Sequence, residues 1–440
     1  MSAAAPHRDG EQGSGSMGRS LLFFVVIGYF WISLAPFPNL SLLSAADPWA
    51  GNSNSLNQMI AIALFGVLAI FAVRHPMLRQ VAQPRWLLAA IFLWLVLTAL
   101  LGADPATALR RVVMAGMVFV IASVFLLLPR DEKHFAKLLG LALLFMLGLA
   151  YYGVIFMPSR SIHLASDVVE PQLAGNWRGF FGHKNTAAIA MAFTVIGGLF
   201  VWQRWSRFAG ALLVGLGVFF LWKTSGKTAA VMLPATLVLA WAFERWRGLR
   251  YPLVLGGLGL FILVSVGSAV NPGIRGLVSA LGIDASFTDR TEIWRMAFSA
   301  IMERPLTGHG FMSYWQTDSM VYGAGTLESW AVLAANAHNA YLDAAINAGI
   351  PGLVLLVLWI VLRPIADFNR AETTDNDPAL SRLFLRIWLY GLLAACLETT
   401  FFTSGGPVWF TILVAVFGLH YQGSAYVVAS PEPQGEMAHA

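Results

Sequence analysis

Long apolar runs recur along the whole chain, separated by short polar turns. They lie at 20–35, 57–73, 86–101, 112–128, 135–157, 186–202, 208–222, 228–243, 252–270, 338–362, 383–401 and 407–421. A helix that crosses a bilayer needs about 20 mostly apolar residues, so the pattern predicts an all-α integral membrane protein with about twelve transmembrane helices. Only Pro36 and Pro38 follow the first run, with no small-residue cleavage pattern, so it reads as a retained span and not as a signal peptide.

The segments between the runs differ in kind. The longest, 271–337, carries Trp294, Met296, Phe298, Ile301 and Met302 at helical spacing. This predicts an amphipathic helix over about 288–303 and a structured cap between the ninth and tenth helices. Residues 1–18 are rich in Gly, Ser and Ala, and 423–440 contain the run from Pro431 to Gly435. Both are expected to be disordered tails around a membrane domain at 19–422. The loop 363–382 is polar and expected to be mobile. No internal repeat is evident, which weighs against an inverted-repeat transporter.

Composition excludes a soluble protein. The chain is 58% hydrophobic and 12% charged, against about 45–50% and about 25% in soluble domains. The single Cys396 excludes an internal disulfide and any cysteine-based metal site. The net charge of +5 would suggest nucleic acid in a soluble chain, but in a membrane protein basic loops are first a topology signal, and no nucleic-acid partner is expected. The larger share of the 28 Lys and Arg residues falls on segments that share a side with the N-terminus. Both termini are therefore expected in the cytoplasm, and 271–337 in the periplasm. The outer loops are still more basic than sorting alone would leave them, which points to an anionic partner on that side.

Four outer stretches are polar beyond what a membrane requires. RGFFGHKN, Arg178–Asn185, gathers Arg178, His183, Lys184 and Asn185 before the sixth helix; Arg178 and Lys184 are of the types that bind phosphate, one bidentately and one as a point charge. KTSGKT, Lys223–Thr228, sets Lys223 and Lys227 about a helix start, where anions are favoured; it lacks the strand and glycine spacing of a P-loop. DRTEIW, Asp289–Trp294, puts Arg290 and Trp294 on one helix face, with RPLTGHG following at Arg304–Gly310. AHNAYLDAAINAGIPG places His338, Asn339 and Asp343 at a helix start, with Gly349, Pro351 and Gly352 set to kink it further in. A histidine there can exchange a proton near neutral pH. For each stretch the plainer alternative is an interfacial cation or a polar turn. Glu398, in the eleventh run, is a further ionisable residue in an apolar setting. Asp375 and Asp377 form an Asp-x-Asp pattern, read as a solvated cytoplasmic loop.

At these four stretches the sequence resembles the O-antigen ligase and polysaccharide polymerase superfamily, nearest to exopolysaccharide polymerases of the succinoglycan type. The resemblance covers about residues 175–360. It implies a C-type glycosyltransferase-like membrane fold in the bacterial inner membrane, with the active site facing the periplasm and no metal or other cofactor. It implies a donor glycan on undecaprenyl pyrophosphate and an acceptor sugar hydroxyl. His338 is the implied general base. Arg178, Lys227 and Arg290 are the implied pyrophosphate cations, with Lys184 beside them. His183, Asn185, Lys223, Trp294, Asn339 and Asp343 stand as supporting residues. The turn departs from the family's Ser-Arg or Ser-Lys: Gly226 separates Ser225 from Lys227, which makes Lys223 the alternative cation. Three readings follow: a polymerase of lipid-linked repeat units, a ligase onto lipid A–core, and a transporter or flippase of lipid-linked sugars. Expected partners are the lipid-linked glycan and the bilayer, with a flippase and a chain-length regulator as candidate protein partners.

Overall fold

The computed structural model describes residues 9–42, 55–82, 85–168, 170–282, 287, 290–317, 320, 334–373, 378–403 and 405–424. The helices are α1 (Asp9–Ile32), α2 (Ser55–Arg74), α3 (Leu78–Val81), α4 (Trp86–Leu100), α5 (Pro105–Phe125) and α6 (Glu132–Phe156). They continue with α7 (Lys184–Arg204), α8 (Arg207–Lys223), α9 (Lys227–Arg245), α10 (Arg250–Val270), α11 (Pro272–Ala280) and α12 (Arg290–Glu303). The last are α13 (Ala340–Val357), α14 (Arg363–Ala371), α15 (Pro378–Ala394) and α16 (Pro407–Ser424). Among the described residues the only β pairing is an isolated antiparallel bridge, Ile162 to Trp177.

Each of the twelve apolar runs falls on a helix. Among the described residues, seven helical segments are long and apolar enough to cross a membrane: α2, α5, α6, α7, α9, α10 and the continuous α13–α14. The apolar part of α1, Met17–Ile32, and α4 are shorter. Polar side chains close the helix starts where the backbone N–H groups lack partners. Asp104 accepts from Thr107 N, Asp131 from His134 N, Ser206 from Ala209 N and Asn271 from Ile274 N. α7 lies at the centre: 78% of its apolar window is buried, against 22% for α2. It packs on α6, α8, α9 and α15.

Several boundaries differ from the sequence expectation. α1 begins at Asp9, within the stretch 1–18 expected to lack structure; a helix nucleated by apolar turns extends into polar residues without a second nucleus. Residues 1–8 and 425–440 lie outside the described residues. The loop expected to be mobile from 363 is helical to Ala371, joined to α13 through a π turn at Leu358–Leu362. It is polar but amphipathic, and Ile365, Phe368 and Ala371 are buried. Asp375 and Asp377 lie outside the described residues. In α12 the buried stripe is Ile293, Trp294, Ala297, Ala300 and Ile301, while Phe298 and Met302 are exposed. Alanines let that stripe pack close to α10 and α13, so the larger apolar residues fall on the outer face.

The eleventh run, expected to be helical to 401, leaves the helix at Ala394. The carbonyls a continuing helix would use are taken by other segments. Ala395 O accepts from Ala340 N at 2.8 Å, Cys396 O from Asn339 Nδ2 at 2.9 Å, and Leu397 O from Arg290 Nη1. This turn carries Glu398 to the end of the bundle where α7, α9 and α13 begin.

Candidate functional site

The site is built around the start of α13. Asn339 caps the helix: its Oδ1 accepts from Tyr341 N and Leu342 N, at 3.0 and 3.1 Å. Being fully buried, it spends its amide on Cys396 O. His338 precedes the cap with φ 47°, a left-handed conformation uncommon for a side chain of this kind. Its neighbours hold it there. Asn336 Oδ1 accepts from His338 N at 2.9 Å, and Trp294 Nε1 donates to Ala337 O at 3.0 Å. Asp343, buried one turn into the helix, accepts from Ala337 N, Trp315 Nε1 and Thr399 Oγ1. Asn339, Trp294 and Asp343 thus fix the backbone of His338 and leave its ring half-exposed.

Glu398 collects the charges. Its Oε1 accepts from Arg290 Nη2 at 2.9 Å and from Asn185 Nδ2 at 2.9 Å, and its Oε2 lies 3.5 Å from His338 Nδ1. That last separation is longer than an ordinary hydrogen bond. Burial works to raise the Glu398 carboxyl, but His338 and Arg290 outweigh it and hold it down at about 2. The group is therefore an anion at any pH near neutral. Residues from the starts of α7, α12 and α13 meet on one carboxylate, although Asn185 and Arg290 lie 213 and 108 positions from Glu398 in the chain.

A second ring of polar groups surrounds this one. His183 caps α7: Nδ1 accepts from Asn185 N at 3.1 Å, which leaves Nε2–H to donate to Glu170 Oε2 at 2.8 Å. That bond holds Glu170 below the usual carboxylate range. Lys184 N donates to the buried His163, and Lys184 Nζ reaches Ser225 O at 3.5 Å, in the turn before α9. Glu170, Glu398 and Lys227 are the charges close enough to act on the Lys184 ammonium. Lys227 is the first residue of α9 and is exposed. Gly226, its neighbour, departs from the family pattern for a packing reason: a Cβ there would sit 2.7 Å from the Cβ of Ala188 on α7.

Two of the sequence candidates do not join this cluster. Arg178 is completely buried and donates to Phe181 O at 3.0 Å and Pro38 O at 2.8 Å. Lys223 lies among aromatic rings, 4.9 Å above Trp222 and 5.7 Å above Trp177. Arg178 braces the RGFFGHKN loop from inside, and Lys223 O accepts from Trp177 N to tie that loop to the KTSGKT turn. PLTGHG is likewise a brace: His309 N donates to Ile346 O and Ile350 N to Pro305 O, at the kink of α13. Sequence reading passed over Glu170, His163, Asn336 and Thr399. They sit singly in loops with no spacing pattern to mark them.

The start of α13 and the turn before α9 lie within one recognisable region. Residues 210–357 match the O-antigen ligase family. The matched stretch runs from α8 to the end of α13 and so holds Lys223, Lys227, Arg290, Trp294, His338, Asn339 and Asp343. Arg178, His183, Lys184, Asn185 and Glu398 lie outside it and are brought to it by folding. The chain is 28% identical over 138 residues to the exopolysaccharide production protein ExoQ of Rhizobium meliloti, covering 30% of this chain and 29% of that protein. It is 24% identical over 136 residues to the "Putative polysaccharide ligase" of Rickettsia felis, covering 30% of this chain and 33% of that protein. The chain thus spans a third or less of the length of these curated relatives.

Chemically, the cluster offers an imidazole beside a fixed carboxylate, with cations around it. The His338 ring beside Glu398 is half-exposed and open to a group outside. Arg290, Lys184 and Lys227 can meet an anion at the same place.

Proposed function

We propose that this protein is a membrane glycosyltransferase of the polysaccharide polymerase type. It takes a glycan from undecaprenyl pyrophosphate and passes it to a sugar hydroxyl at the periplasmic face. The observation that carries the reading is the meeting of Arg290, Asn185 and His338 on the Glu398 carboxylate. His338 removes the proton of the acceptor hydroxyl as that oxygen attacks the anomeric carbon. The bond from that carbon to the pyrophosphate oxygen breaks, and the pyrophosphate leaves with the electron pair. Glu398 stabilises the imidazolium that forms. Arg290, Lys184 and Lys227 stabilise the charge that grows on the leaving group, and such preorganised donors are worth most where water is excluded. A membrane-embedded bundle suits chemistry on a lipid-linked substrate.

His338→Ala is expected to lower glycan transfer by about 10²–10⁴-fold while insertion and yield stay normal. Transfer close to wild type from a well-folded His338→Ala protein would remove the general base from the mechanism. The chain is similar both to an exopolysaccharide production protein and to a putative polysaccharide ligase, so polymerase is tested against ligase. The size profile of undecaprenyl-linked glycan in cells lacking the protein separates the two. Accumulated single repeat units mean a polymerase; long chains stranded on undecaprenyl mean a ligase.

A further inference from the structure

A groove of about 510 Å³ lies between α2, α4, α5 and α16, away from the site described above. Its walls include Phe65, Leu88, Phe92, Met117, Val120 and Phe417. Val113 and Val120, 57% and 38% exposed, mark its open side on the face of α5. Arg85 closes one end. Arg85 stands at the start of α4, whereas the far end of α4 meets the PLTGHG segment, where Gly102 lies against Gly310. The Arg85 end of the groove therefore lies toward the end of the bundle opposite His338.

Among the described residues, Arg85 has only neutral company on the groove wall. Its Nη2 donates to Val81 O at 2.7 Å and to Tyr421 OH at 2.8 Å, both neutral oxygens. The guanidinium lies 4.8 Å from the Phe417 ring centroid and 5.4 Å from that of Tyr421. Its Nε is buried and has no hydrogen-bond partner among the described residues. A cation set in apolar surroundings with an unused donor and neutral partners calls for an anion. Tyr421 is itself fixed by donating to Ser123 O at 3.0 Å, so the ring that supports Arg85 is held in place.

We propose that this groove is a binding site for one anionic glycerophospholipid. An acyl chain lies between Phe65, Phe92 and Val120, and the phosphate accepts from Arg85. Charge complementarity selects an anionic headgroup over a zwitterionic one, and the apolar walls exclude a free phosphate. The site is independent of the glycosyl-transfer reading, and its test reads binding alone.

The test titrates the purified full-length protein in detergent with palmitoyl-oleoyl phosphatidylglycerol and with the matching phosphatidylcholine, counting bound lipid by native mass spectrometry. One phosphatidylglycerol should bind, about tenfold more tightly than phosphatidylcholine. Arg85→Gln should remove that preference. Gly116→Leu should weaken both lipids at least about fivefold, because Gly116 lines the groove and a Cβ there meets only Phe92 Cε1 at an ordinary 3.6 Å. Equal affinity for the two lipids in the wild type overturns the proposal, as does an intact preference in folded Arg85→Gln. If Arg85→Gln does not fold, Gly116→Leu decides: undiminished phosphatidylglycerol binding by that variant overturns the site.

Discussion

Arg178 and Arg290 are chemically alike, and the fold gives them different neighbours. Arg290 faces a carboxylate at the rim of the site, whereas Arg178 is sealed inside and donates to two backbone carbonyls. Arg178→Ala should therefore act on stability, with a loss of about 1–3 kcal/mol for each carbonyl left unpaired, measured by thermal unfolding in detergent. Arg290→Ala should instead lose glycan transfer from protein that still folds, with Arg290→Lys in between, since Lys keeps the charge but not the fork. An Arg178→Ala protein of unchanged stability and no transfer would place Arg178 on the substrate instead. His163 carries a pH prediction. Burial, with His183 and Arg178 nearby, takes it from about 6.5 down to about 4, against the pull of Asp167. Between those values the unfolded chain binds a proton that the folded chain refuses. Stability should thus decline as pH falls from about 6.5 to about 4, and the loss is complete below that. His163→Gln should flatten the decline of the melting temperature across this window; an unchanged slope would assign the acid sensitivity to another group.

Elements succeed or fail at their ends. Gly349 has φ 67° and ψ −179°, a region essentially confined to glycine, and sits within α13 where Leu306 and Pro305 pack on it. A Cβ there would lie 2.2 Å from Leu306 O. Gly349→Ala should cost about 3 kcal/mol or more and be seen as a lower melting temperature or lost yield. A variant with wild-type melting would mean that the PLTGHG segment does not lock the kink. The glycine–proline signal for this kink was legible in the chain, because backbone rules act locally. The early end of α15 was not. Residues 395–401 are apolar enough to continue a helix, and only the competing donors of Ala340, Asn339 and Arg290 stop it. The same competition exposes Glu398 to the cluster, so the misjudged helix end and the underrated Glu398 share one cause.

Across the whole molecule, the two ends of the bundle are charged in different ways. At the end away from His338, Arg204 pairs with Glu132, Arg250 with Glu372, and Arg382 with Glu244, each at 2.7 Å. Cations counted as topology signals are thus also structural, and the buried Arg250 is anchored further by Phe243 O. At the site end the cations Lys184, Lys227 and Arg290 converge on fewer anions, which suits a negatively charged substrate. Topology is tested by a reporter inserted between Gln316 and Thr317, which should report the periplasm. A cytoplasmic signal would invert the bundle and overturn the proposed transfer at the periplasmic face.

Hydrophobic periodicity alone determined that the chain is a helical membrane protein and where its helices lie, because burying apolar length in lipid depends on local composition. The polar stretches at helix starts marked His338, Arg290, Lys184 and Lys227 as candidates for the same reason: polar residues that a membrane does not require stand out against an apolar background. Which of them meet was decided by tertiary structure. Glu398 gained its partners from a helix that ended early, Glu170 from a cap on α7, and Arg178 is buried apart from the cluster. Those outcomes depend on pairings across long stretches of chain, and no local pattern encodes a distance between residues so far apart in sequence.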